Sequence, residues 1–153
     1  MLQEERLACQ AEAEIIIEIV CNSNQDAKEY LNLLLSALRV IDDVYDQDSL
    51  VTTQDLMNVF EILFVRLPLN KFYQDYEQAL KLQHVIIWNT WEVSNVLRNS
   101  ALDYERMYGQ VLSGYVHELL PLVANLTGGY LKMKEVNALV RKMYQGPLED
   151  KNG

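Results

Sequence analysis

The sequence predicts an all-α fold: a single-domain bundle of about six helices with a long central helix over about 70–99. Three observations predict it. Among 153 residues, Pro68 is the only proline or glycine before Gly109, so long stretches are free of helix breakers. Apolar residues recur at spacings of three and four, which places them on one helical face. No run of β-branched residues alternates with polar ones, as a half-buried strand requires.

The elements follow in chain order. Residues 3–21 are rich in Glu, Ala, Leu and Ile, with Leu7, Glu14, Ile17 and Cys21 on one stripe and Ile15, Ile16 and Ile19 widening it. The polar tract Asn22 to Asp26 breaks that pattern and offers N-caps. A second helix runs from about Ala27 to Tyr45, with Leu31, Leu34, Leu38, Ile41 and Tyr45 as a heptad-like seam. Thr52 or Thr53 caps a third, carrying Leu56, Val59, Phe60, Leu63 and Phe64 and ending before Pro68. The fourth starts near Asn70 and is apolar nearly all round between Val85 and Leu97, the mark of a surrounded helix. A fifth, over 101–126, carries Tyr104, Tyr108, Val111, Tyr115 and Leu119, and Pro121 kinks or splits it. Gly128-Gly129 ends it, and a last helix spans about 130–144. The domain is expected over 1–145, with 146–153 as a flexible tail.

Composition narrows the function. Thirteen basic against 22 acidic residues give a net charge of −9, which leaves no basic stripe for nucleic-acid phosphates. The start, Met1 to Arg6, lacks the basic and apolar pattern of a signal peptide. No apolar run approaches the ~18 residues of a membrane span. A soluble, cytoplasmic protein is therefore expected, with no membrane and no nucleic-acid partner. Cys9 and Cys21 lie twelve residues apart, roughly 18 Å along one helix, too far to pair within it.

One motif carries chemistry. Asp42-Asp43-Val44-Tyr45-Asp46 stands at the end of the second helix. Carboxylates at its first and fifth positions lie one turn apart on one face, where they can hold a hard divalent ion such as Mg²⁺. The stretch Val40 to Asp46, with its context through about residue 60, resembles the aspartate-rich motif of class I terpenoid (isoprenoid) synthases. That resemblance implies an all-α enzyme in which Mg²⁺ on Asp42 and Asp46, with Asp43 as ligand or supporting group, draws diphosphate from a prenyl substrate. The family's second metal motif is not found: Asn32 and Ser36 are followed at the next four-residue step by Val40. Read as plain structure, Asp43 pairs with Arg39 one turn earlier. The three acids nonetheless oppose the helix dipole where they stand.

Other polar residues read mainly as structure. His84, Glu92 and Asn95 lie on the apolar fourth helix and His117 on the fifth, without the Glu-x-x-His spacing of a di-iron bundle. Trp88, Trp91 and the tyrosines of the fifth helix sit at core spacing. Gly109 and Gly114 favour close helix approach or bending. The expected function is a small acidic helical protein acting by protein–protein binding or self-assembly, with a protein partner or a homodimer. The alternative is a Mg²⁺-dependent diphosphate-binding protein resembling a reduced terpenoid synthase, with prenyl diphosphate as its ligand.

Overall fold

The computed structural model describes the backbone over residues 2–47 and 50–143, and the side chains over 10–47 and 50–142. The expected tail, 146–153, and the Cys9 thiol lie outside the described residues. Those residues are all-α: no strand forms among them, and no helix is long and apolar enough to cross a membrane. The helices gather into two compact units, Ser23–Glu77 on one hand and Met1–Asn22 with Gln78–Gly153 on the other.

In the first unit, α2 (Gln25–Asp46) is capped by Asn24, whose side-chain oxygen accepts from the Ala27 N–H at 3.0 Å. That satisfies one of the four donors a helix start leaves unpaired. The seam the spacing predicts is buried only in its first half. Leu31 and Leu34 are enclosed with Ala27, Tyr30, Leu33 and Ala37, while Tyr45 is exposed. Tyr30 is the anchor, its ring against Phe72 at 5.6 Å and Tyr73 at 6.2 Å. Enclosing such a ring contributes ~1.5–3 kcal/mol, and burial raises the Tyr30 hydroxyl's pKa, with the Tyr73 charge adding to it.

α3 (Thr53–Glu61) begins with a reciprocal cap. The Thr52 hydroxyl oxygen accepts from the Asp55 N–H at 3.1 Å, and the Asp55 carboxylate accepts from the Thr52 N–H at 2.8 Å. Contrary to the expected end before Pro68, the helical path continues. A π-helical turn over Ile62–Arg66 is followed by α4 (Leu67–Leu69), with Pro68 in its first turn, where its missing N–H costs least. The wide turn also moves the buried face. Val59, Ile62 and Leu67 are enclosed, the last step being five residues rather than three or four. Phe60 and Phe64, expected in the core, are 53% and 75% exposed. Asn70 then caps α5 (Lys71–Asp75) and ties it to α2, its Nδ2 donating to the Asp26 carbonyl at 2.9 Å.

The long helix is α6 (Glu77–Arg98). It starts seven residues later than the sequence suggests, because the chain turns at Tyr76 after α5. Beyond α6 the Ser100 hydroxyl accepts from Leu102 N–H, and α7 (Asp103–Ser113) begins after Leu102. The expected break in the fifth helix falls at Gly114, where a 3₁₀ turn (Gly114–Glu118) leads into α8 (Leu119–Gly128) with Pro121 in its first turn. Gly129 ends α8 at φ 85°, a left-handed region that favours glycine, and α9 (Tyr130–Met143) follows. α8 lies against α9 and against α1 (Leu2–Cys21). Val20, Cys21, Leu119, Leu120, Val123, Val136 and Val140 form this unit's core.

Candidate functional site

The aspartate motif sits where the sequence places it, in the last turns of α2, which ends on a left-handed Gln47. Asp42, Asp43 and Asp46 are half-buried, and Val44 and Tyr45 are exposed. Among the described residues, no group of three His, Cys, Asp or Glu side chains gathers around a point that a metal ion could occupy.

A recess of about 370 Å³ lies earlier along α2, between Ser36, Val40 and the α3 residues Asp55 and Asn58. Its lining includes none of the three motif aspartates. Its polar groups already serve local structure: Asp55 is held in the helix cap, and Asn58 accepts from Gln54 Nε2 at 2.9 Å. Those Thr52 hydrogen bonds lower the Asp55 carboxyl's pKa. Arg66 lines this recess and also a second one of about 370 Å³ beside Lys28 and Asn32. There its guanidinium stands 3.7 Å from Glu29. Charges of both signs line both recesses, so neither presents a field of one sign to a charged ligand.

Among the described residues, neither histidine belongs to a group of three His, Cys, Asp or Glu side chains that could hold a metal ion. His84 is half-buried and its pKa is lowered by burial to about 4, so the imidazole is neutral at pH 7. Burial also lowers His117, a backbone hydrogen bond at Gly114 opposes that shift, and the nearby Arg141 charge adds to it. Arg141 pairs with Glu118. Glu92 is exposed. Asn95 is buried, its Oδ1 accepting from Arg98 Nη2, while its Nδ2 meets no acceptor among the described residues.

The surface is where expectation and structure part most. α6 encloses Leu80, Ile87, Ser94 and Asn95 but exposes Leu82, Val85, Val93 and Val96, Val96 to 72%. Trp88 is exposed too, its ring 5.1 Å from that of Trp91. On α7, Tyr104 and Tyr108, expected in the core, are 65% and 60% exposed. The reason is Gly109. A Cβ there would lie 2.7 Å from the Arg98 backbone nitrogen, so the glycine face is the one pressed against α6. The tyrosines, about 100–140° away round the helix, turn outward. Sequence reasoning missed these exposed faces because an apolar stripe reads alike whether a neighbour covers it or solvent does. Compared with protein-family models, characterised proteins and solved structures, the chain matches none of them.

Proposed function

We propose that the protein works by binding protein surfaces through apolar helix faces. The observation that supports this reading is the exposed stripe of Leu82, Val85, Val93 and Val96 on α6. Apolar patches of this kind are costly in water and usually mark an interaction surface. The stacked rings of Phe60 on α3 and Phe64 in the π-helical turn after it, 6.1 Å apart, add a second such patch. Binding would remove these side chains from water, each enclosed Leu or Val contributing ~1.5–3 kcal/mol before the cost of association. The test is the double substitution Leu82→Glu/Val96→Glu, which points to solvent and spares the core. Stoichiometric association, with itself or with another protein, is expected to be lost while circular dichroism stays unchanged. Equal association of both proteins would overturn the reading.

A second reading, Mg²⁺-dependent diphosphate handling, is supported by the half-buried placement of Asp42, Asp43 and Asp46 at the end of α2. It assigns those carboxylates to a divalent ion and a prenyl diphosphate to the ion.

A further inference from the structure

The exposed stripe of α6 has a symmetry that names its occupant. Leu82 and Val85 precede Asn89 by seven and four residues, and Val93 and Val96 follow it by four and seven. All five residues are exposed. We propose that this face pairs antiparallel with the same face of a second copy, about a two-fold axis at Asn89; the proposal rests on the binding reading above.

A two-fold interface must be self-complementary: if residue i meets j, then j meets i. Antiparallel pairing about Asn89 meets that condition at every seam position. Leu82 falls opposite Val96, Val85 opposite Val93, and Asn89 opposite its own counterpart. The spacings of three and four keep all five on one side of the helix. That side lies opposite the buried Leu80, Ile87 and Ser94, so the pairing leaves the unit's own core intact. At the axis, each Asn89 amide can donate to and accept from the other. A lone asparagine in such a seam fixes register and orientation at some cost in stability.

The flanks select antiparallel over parallel. Lys81 and Glu92, both exposed, border one side of the seam, and the exposed Ile86 borders the other. Antiparallel pairing sets the charged flank of one copy against the charged flank of the next, with Lys81 toward the side that carries Glu92. It sets the apolar flank against the apolar flank. Parallel pairing would set each charged flank against Ile86, with no opposite charge across the seam. The seam spans ~21 Å. One helix pair of that length covers less than the ~800 Å² per partner of a standard interface, so the pairing is a weak, reversible one.

Single cysteines test the geometry. Asn89→Cys is expected to give an interchain disulfide on mild oxidation. Leu82→Cys alone is not, because its counterpart lies ~21 Å away, whereas Leu82→Cys mixed with Val96→Cys is. The unsubstituted chain, which keeps Cys9 and Cys21, is the control. Sedimentation across about 1 µM to about 1 mM should show a monomer–dimer equilibrium that Val85→Glu abolishes. Leu82→Cys crosslinking to itself as readily as Asn89→Cys, or a monomer at every concentration, overturns the proposal. A monomer whose α6 variants still lose binding to a different protein overturns only this pairing and leaves the binding reading standing.

Discussion

The Thr127 hydroxyl donates to the Val20 carbonyl at 2.8 Å, joining two helices whose bonded residues are 107 positions apart in the chain. Val20 lies in the last turn of α1, whose final carbonyls have no partner within the helix. The side chain of α8 supplies one. Nearby, Asn22 Nδ2 donates to the Thr127 carbonyl at 3.4 Å, so the contact runs in both directions.

Thr127→Val keeps the shape and removes the donor. It should lower unfolding stability by ~1–3 kcal/mol, since it strands a part-buried carbonyl. Thr127→Ser should recover most of the loss. Urea unfolding of the three proteins gives the comparison, and equal midpoints would show that the bond contributes nothing.

Gly109→Ala should destabilise by ~1–3 kcal/mol, the usual cost of an overfilled contact. The new methyl would lie 2.7 Å from a backbone nitrogen of α6 and 2.8 Å from Leu97 Cβ, and backbone cannot step aside as a side chain can. Gly114→Ala, whose nearest group is the His117 ring at 3.7 Å, should be tolerated. Thermal melts separate the two.

Burial of His84 makes a pH signature. Its pKa is about 4 in the folded chain against 6.5 for an ordinary histidine. Between those values the unfolded chain binds more protons, so stability rises with pH in that window. The contribution is fully present above pH 6.5 and is lost as pH falls toward about 4. His84→Gln does not titrate, so the stability gap between the variant and the parent should shift in the variant's favour across this window. A gap that stays constant with pH would show that His84 titrates alike in both states.

Mg²⁺ decides the second reading. If Asp42 and Asp46 hold the ion, calorimetry with Mg²⁺ and a prenyl diphosphate should give heat that Asp42→Ala abolishes. Absence of heat, or unchanged binding in the variant, removes that reading and leaves the apolar faces as the basis of function.

The helices were legible because their signals are local. Asn24 and Thr52 cap α2 and α3 through bonds spanning three residues, and Gly129 ends α8 through its own backbone conformation. The position of Asp42, Asp43 and Asp46 at a helix end was legible for the same reason. Boundaries slipped where a local signal had two outcomes. Pro68 can stop a helix or begin a turn, and the π-helical turn before it allowed the second.

What the sequence determined by itself was the all-α class and where most helices start and stop, because capping, breaking and periodicity act within a few residues. Which apolar face each helix buries was decided only in three dimensions. Phe60, Tyr104 and Val96 carry the same periodic signal as Val59, Leu119 and Leu80, yet the first three meet solvent and the last three are enclosed. Burial depends on contacts between residues far apart in sequence, such as Gly109 against Arg98 or Thr127 against Val20. The period of a stripe gives its face on the helix, and only the neighbouring helix gives that face its use.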